Sequence, residues 1–505
     1  MIKHPYPFVI NFELNLNRSS LVGNNFSSII FFNISTVELE FKNLNLSIQR
    51  TKINDLKNDI NENPNDLIVS DVQEKLFLTG GQLANIQLQC GHLNRVSGMY
   101  SGQLIGFAAL YSNIYGYNLS TGESNDEWRA LYGGVMTNMR HIRENSDSAL
   151  LSGIAAIIEA HAFGTGASLW GDIPYSEAGV SEIEDPIFDP QVDVYNSAIA
   201  LLDEGITTLN GATSEPIDED IYFNGNKDNW IAAAYTLKAR FYLHQKDYSN
   251  ALSAAQNGIS SASGDLKFVP GNAVSGDTNL FWTILAGSRS GDLGNNLDGT
   301  ESYLLQILDS SNALSRNHSK TDETARRAYY MIDASGSGNE GIIQEREPQN
   351  MVTFFENKLI MAEAAGRSGG VTAGLPHLNE VRNWLNSGGN LNASFIGKAF
   401  KYSPFEVSDF NDGGIENPNN ISADDAFLRE VIEERYVSGF GMHMPYNDAR
   451  RLRKSDNVIA VPYFMVEADN TRKPERMPYA QNELNSNSNA PDEDPGIFSK
   501  TSVNQ

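Results

Sequence analysis

The chain has 505 residues, enough for one large core or for two or three ordinary domains. It is 40% hydrophobic and 20% charged, the balance of a folded protein, and its 63 acidic against 37 basic residues leave a formal net charge of −26. A surface this acidic repels phosphate backbones and anionic headgroups, which excludes nucleic-acid binding and polybasic attachment to lipid. No run approaches the ~18 apolar residues of a membrane span, and no basic stretch followed by a long apolar stretch marks a secretory signal. The single cysteine, Cys90, excludes an intramolecular disulfide and any multi-cysteine metal site. Its apolar neighbours point to a buried, inert thiol.

Residues 1–57 differ in character from the rest: rich in Asn, Ser, Phe and Ile, with no sustained helical period. They form either a short β-like appendage or a stretch foreign to the mature chain. Asp59–Asp66 is a polar, extended lead-in, with Pro64 turning the backbone away from helix. Helices are expected over Val72–Cys90, Tyr100–Tyr115 and Glu127–Arg143. A long one follows over Ser148–Leu169, with Leu150, Ile154, Ile157, Ile158 and Ala162 on one face and small alanines admitting a close neighbour. Gly171 permits its exit, and Pro174 prevents it from resuming. Further helices are expected over Val192–Leu209, Asn229–His244 and Asp247–Ser260, the last two forming a hairpin of tetratricopeptide type without a strict repeat. Residues 261–348 break the pattern with Gly-Ser-Asn-Asp loops, a long insertion of the kind that usually carries function. Helices return at Thr353–Ala365, Gly374–Leu385 and Ser422–Val437, the last opened by the cap pair Ser422 and Asp425. Loops are expected over Ala393–Asn420 and Ala460–Gln505.

Catalytic signatures are missing from the sequence. There is no H-E-x-x-H, no nucleophile elbow, no phosphate loop and no dinucleotide fingerprint. Asp409–Asn420 begins like a calcium loop but ends on Asn420 where a bidentate Glu is needed, and reads as a surface loop. Neither a catalytic residue, a metal site nor a cofactor is expected. Asp172 and Glu177 are the nearest approach to a glycosidase carboxylate pair. Against that stands a plainer reading: Asp172 caps loop backbone and Glu177 pairs with an arginine. Asp448, Arg450, Arg451 and Arg453 form a local basic group beside Glu433, Glu434 and Arg435. It either binds an anion or, as the plainer reading, locks the last helices by charge pairs.

Aromatics are the better lead, because Trp and Tyr faces stack on pyranose rings while loop polar groups bond the hydroxyls. Trp282, Arg289, Tyr303, Tyr329 and Tyr330 lie in the insertion and are the candidate ligand-binding residues; packing is the competing reading for each aromatic.

Several segments in order resemble the SusD/RagB family. They are W-G-D-I-P-Y-S-E-A at 170–178, F-D-P-Q-V-D-V-Y at 188–195, and the stretch 221–243 that includes Trp230 and Arg240. N-K-L-I-M-A-E-A-A at 357–365, I-E-E-R-Y at 432–436, D-A-R-R-L at 448–452, P-E-R-M-P-Y at 474–479 and N-E-N-P-N at 61–65 continue the match. The residues taken as structural family positions are Trp170, Gly171, Asp172, Pro174, Tyr175, Glu177, Trp230, Arg240, Glu434, Arg435, Asp448 and Arg451. The resemblance implies a mostly α fold, a tetratricopeptide-like hairpin scaffold with an irregular loop-rich insertion. Residues 58–505 would form one nutrient-binding domain, with the insertion at 261–348. It implies a lipoprotein at the bacterial outer-membrane surface that captures oligosaccharides, or in some members peptides. Its partner would be a SusC-like TonB-dependent barrel, and it would perform no chemistry. Family members carry an acylated cysteine near their start; here the first cysteine is Cys90, inside the matching region. Either the true start lies elsewhere or this chain is anchored differently. The family's ligand residues vary with the glycan, so the resemblance carries no binding site over.

Overall fold

The computed structural model describes residues 74–271, 277–285, 287, 289–336 and 339–505. The atypical segment 1–57 and the lead-in at 59–66 lie outside the described residues. The first half is a helical scaffold: α1 (Glu74–Cys90), α2 (His92–Tyr100), α3 (Ala109–Tyr115), α4 (Asn125–Arg129), α5 (Thr137–Asn145), α6 (Ala149–Trp170), α7 (Gln191–Gly211), α8 (Lys227–His244) and α9 (Tyr248–Ala255). A π-helical turn, Ala130–Met136, joins α4 to α5 without a break.

The central element is α6. Ser148 caps it by accepting from the Leu151 N–H at 3.3 Å, and Gly171 ends it at φ 85°, a left-handed turn costly for any residue with a Cβ. The spacing suggested one buried face, but every residue from Gly153 to Trp170 is buried. By length and composition α6 could cross a bilayer, yet 89% of its apolar window is enclosed by the fold, so it is a core helix. The apolar character missed in the sequence comes from alanines and glycines interleaved with a few large residues. These small residues set the packing distances. A Cβ on Gly153 would lie 2.6 Å from Leu209 of α7, and one on Gly164 would lie 2.0 Å from the Phe241 ring of α8. The one carboxylate on α6, Glu159, is fully buried and held by Arg140 and Arg143 of α5, both at 2.7 Å.

Two expectations fail in instructive ways. Tyr100–Tyr115 is not one helix: α2 closes with Ser101–Leu104 folding back onto Ser97–Met99, and Ile105–Gly106 (β1) pairs with Leu293–Gly294. A long-range ladder overrides the local helical pattern there. The two helices expected at 353–365 and 374–385 are halves of one, α13, introduced below, kinked at Gly370 with φ 68°. Asp424 accepts from the Val371 N–H at 2.9 Å and so caps the second half, in space a side chain at position 370 would fill.

The insertion contains α10 (Leu280–Leu285), α11 (Tyr303–Leu308) and α12 (Thr324–Tyr330), held by short antiparallel ladders. Leu266–Phe268 pairs with Gln349–Val352 and closes its base, while Thr321–Asp322 pairs with Lys401–Tyr402. Then come α13 (Phe354–Asn386), α14 (Ala423–Ser438), α15 (Met444–Leu452) and α16 (Gln481–Ser486), the last two unforeseen.

Candidate functional site

A crevice opens in the insertion where α10 and α12 face the segments at 342–350 and 440–441; the space in and before it, open solvent included, is about 450 Å³. Asn279, wholly buried, builds one side. Its carboxamide oxygen accepts from the N–H groups of Phe281 (2.9 Å) and Trp282 (3.2 Å), starting α10. Its amide donates to the carbonyls of Glu347 (2.9 Å) and Ile342 (3.2 Å), fixing α10 to the opposite wall. Asn295, also fully buried, does the same for α12: it donates to the Tyr330 carbonyl at 2.9 Å and accepts from the Ile332 N–H at 2.7 Å. Sequence reasoning missed both. Nothing distinguishes them from the many other asparagines of the insertion until their distant partners are known.

Phe281, Tyr329, Tyr330 and Phe440 supply aromatic wall; Ile332, Ile342, Ile343 and Pro348 supply aliphatic wall. Tyr329 and Tyr330 lie 5.5 Å apart, and burial pushes both phenols above their usual range, so both remain protonated near neutrality. The Tyr329 hydroxyl donates to Glu347 at 2.7 Å. The polar lining consists of the amides of Gln349, Asn350 and Asn390. Among the described residues, the side chains of Asn350 and Asn390 make no hydrogen bond, and none of the residues lining the crevice is charged. An adjoining space shares Tyr329, Tyr330 and Asn390 and adds Arg326, whose guanidinium is already engaged by Glu323 and Glu434.

The five sequence candidates separate. Tyr329 and Tyr330 meet in the crevice wall. Trp282 follows Phe281 on α10, about 100° round the helix, and so flanks the crevice rather than lining it. It is half-buried, outside the hydrophobic core, and makes no ring contact among the described residues. The other tryptophans are all packed against rings: Trp128 on Trp170 (5.0 Å), Trp230 on Phe223 (5.3 Å) and Trp384 on Phe355 (5.7 Å). Tyr303 lies elsewhere, buried edge-on against Tyr436 and Phe464. Arg289 sits apart from the crevice lining and pairs with Asp292 at 3.4 Å.

The positions taken as structural join distant parts of the chain. Trp170 is fully buried and its indole donates to Ser124 at 3.3 Å. Asp172 accepts from the Gln191 N–H (2.8 Å), and its carbonyl accepts from Tyr479 (2.8 Å). The Pro174 carbonyl accepts from Tyr132 at 2.7 Å, and the Tyr175 ring meets Phe163 edge-on at 4.7 Å. Glu177 accepts from the Ile187 N–H at 3.0 Å; the arginine expected beside it is replaced by this backbone donor. With both carboxylates occupied by backbone, Asp172 and Glu177 lack the arrangement of an acid–base pair. The Trp230 indole donates at 2.8 Å to Asp220, a buried carboxylate that also accepts from Gln82 at 2.8 Å. Arg240 grips Glu356 with two donors.

The basic group near the C-terminus is internal. Arg435 and Arg451 both bond Glu363 of α13 and Asp448, with no side chain in the set more than 6% exposed. Beside them Glu434 takes Arg326 (2.6 Å) and Arg316 (3.1 Å). Burial works against the Glu434 carboxylate, but these guanidiniums hold it down to about 2. Cys90 is buried too, and burial pushes its thiol up to about 12. Among the described residues, no cluster of three or more His, Cys, Asp or Glu is placed to hold a metal.

Residues 64–272 match the SusD-like family described as starch-binding and associating with the outer membrane. Solved structures match over nearly the whole described chain. A SusD/RagB family protein from Bacteroides thetaiotaomicron has 19% identity and a TM-score of 0.58, covering 83% of this chain and 95% of that one. A chitin-binding SusD homolog from Flavobacterium johnsoniae has 16% identity and a TM-score of 0.61, covering 85% and 98%. A SusD homolog from Bacteroides uniformis has 17% identity and a TM-score of 0.61, covering 86% and 100%. The chain resembles SusD/RagB proteins in fold. The SusD-like family's description names a binding activity and a membrane association, and no reaction. Comparison with curated proteins gives no match. The mostly helical SusD-like fold implied by the sequence is the fold observed.

Proposed function

We propose that this chain captures oligosaccharides at the outer-membrane surface without chemical change and hands them to a SusC-like TonB-dependent barrel. The observation that carries the reading is the crevice. Apolar walls, free carboxamides and no charged lining suit an uncharged glycan: apolar surface for its C–H groups and substituents, and amides for its hydroxyls. The family match supports glycan binding and the outer-membrane setting, and a chitin-binding structural neighbour fits the same class of ligand. Capture of peptides by the same route is less well served, since no charged group lines the crevice to take a peptide terminus.

Trp282 is the residue to test, being half-buried and outside the core. Trp282→Ala should weaken glycan binding severalfold in calorimetry while leaving the melting temperature within about 2 °C, as expected of a surface substitution. Unchanged affinity would remove Trp282 from the site. Mass spectrometry of the ligand after incubation should return it intact; a cleaved product would overturn the non-enzymatic reading.

A further inference from the structure

The crevice discriminates among sugars by what its walls leave unsatisfied. Its lining residues are mostly closed to solvent: Ile332 is 0% exposed, Ile343 3%, and Tyr329 and Tyr330 4% each. The walls leave only about 20 Å³ of free room between them, which admits a substituent rather than a whole pyranose ring. The ring stays outside, near the free amides of Asn350 and Asn390, which are partly exposed where Ile332, Ile343 and the two tyrosines are buried. What enters meets isoleucines and aromatic faces. A hydroxyl pushed there loses its water for little in return, since the polar side-chain groups of those walls are the two tyrosine hydroxyls and that of Tyr329 is already given to Glu347. An ammonium or carboxylate loses more, because no opposite charge lines the crevice: the neighbouring Glu347 is engaged by Tyr329 and Asn392, and Arg326 by Glu323 and Glu434. An acyl methyl loses nothing of the kind and buries apolar surface, while its own amide or ester group remains at the mouth beside the asparagines.

Resting on the glycan-capture reading above, we propose that the crevice selects uncharged sugars bearing a small acyl substituent, an N-acetyl or O-acetyl group, whose methyl enters between Ile332, Ile342 and Ile343. The selectivity then resides in the buried walls, while general affinity for glycans resides in the amides of Asn350 and Asn390 and in the flanking Trp282.

The test uses matched ligands and the full chain. Oligomers of β-1,4-linked glucose, glucosamine and N-acetylglucosamine share a backbone and differ at one carbon; acetylated xylan oligomers before and after alkaline deacetylation supply a second backbone. Calorimetry should show at least one acylated ligand bound about fourfold or more tighter than its unacylated partner, the value of one buried methyl, and glucosamine oligomers bound weakest. Ile342→Phe fills the crevice from a partly exposed position. Its melting curve checks folding, and it should abolish the acyl preference while leaving weak binding of the unacylated ligands. Equal affinity across each matched set, or a preference for glucosamine or for added uronate oligomers, overturns the acyl inference and leaves glycan capture standing. An acyl preference that survives in Ile342→Phe removes the selectivity from this crevice. Failure of every glycan to bind, with or without peptide binding, overturns the capture reading and the inference together.

Discussion

Two enclosed spaces in this protein have opposite chemistry. One lies inside the scaffold, about 570 Å³ with its opening, and is lined by Arg240, Glu356, Arg435, Asp448, His244 and His443 among others. The other is the crevice of the insertion, which has no charged lining residue. By charge alone the first looks functional. Yet each of its ionic groups is held by another: Arg240 by Glu356, Arg435 by Asp448 and Glu363. In the crevice the amides of Asn390 and of Asn350, which also reaches the first space, have no partner among the described residues. A buried ion pair that satisfies itself is architecture, whereas an uncharged cleft with idle donors leaves hydrogen-bonding capacity that the proposed ligand would use.

The comparison breaks most violently at Glu363. It is completely buried, and although burial works against its ionised form, Arg451, Arg435 and Arg367 hold its carboxyl below the usual range. Glu363→Ala leaves Arg435 and Arg451 sharing the single carboxylate of Asp448, an excess of positive charge in the core. We expect a loss of about 3–5 kcal/mol, read as a lower urea midpoint with unchanged slope. A loss below about 1 kcal/mol would mean that the network is dispensable to the scaffold.

Acid probes the same interior more gently. His443 is buried, its ring bonding Ser97 at 2.9 Å and the Leu88 carbonyl at 3.2 Å. Burial, opposed by the Leu88 contact and aided by Arg240 and Arg450, lowers it to about 4. Its folded value thus lies below the unfolded one of about 6.5, so between the two the unfolded chain binds a proton that the folded chain refuses. Its stability contribution is intact above about pH 6.5 and falls as the pH drops toward 4, by about 3 kcal/mol over the whole interval. His161 and His244, lowered by burial as well, act in the same direction, while Glu430, raised by burial, offsets part of the loss. Urea titrations from pH 7.5 to 4.5 should show a slope that is smaller in His443→Gln; an identical slope would exclude His443 as a contributor.

Packing of α6 comes next. Gly164→Ala places a methyl carbon 2.0 Å from the Phe241 ring, so that ring or helix must move. Overpacking of this kind costs about 1–3 kcal/mol. Thermal melts should register it; a neutral melt would show that Phe241 has room to swing aside.

These sites differ in how far the sequence reveals them. The Ser148 cap, the exit at Gly171 and the stop at Pro174 are local, so α6 could be bounded from its own residues. That α6 is buried on every side could not, because it depends on α5, α7 and α8 arriving around it. The same limit explains Ile105–Gly106, drawn into a ladder by Leu293–Gly294 nearly two hundred residues away. It also explains Glu177, whose partner is an N–H ten residues on rather than an arginine. In the insertion, composition pointed to aromatics, and Tyr329 and Tyr330 do meet in one wall. Composition could not separate them from Tyr303, since Tyr303 differs only in facing Tyr436 and Phe464. Nor could it choose Asn350 and Asn390 from the surrounding asparagines: what marks them is the lack of a partner, which exists only in the folded chain.

The smallest stability effect should fall on Asn390, and for that reason it sharpens the comparison most. Its side chain is half-buried, lines both the crevice and the adjoining space, and makes no hydrogen bond among the described residues. Asn390→Ala therefore removes nothing the fold uses, and stability should stay within about 0.5 kcal/mol. Ligand is different. A carboxamide that bonds a sugar contributes about 1 kcal/mol net, so the dissociation constant should rise about fivefold. Calorimetry and urea denaturation on the same preparation decide it. Had Asn390 served the scaffold as Glu363 does, both measurements would move together. A change in affinity alone assigns the idle amide to the ligand, while a change in stability alone would return the crevice to the architecture of the insertion.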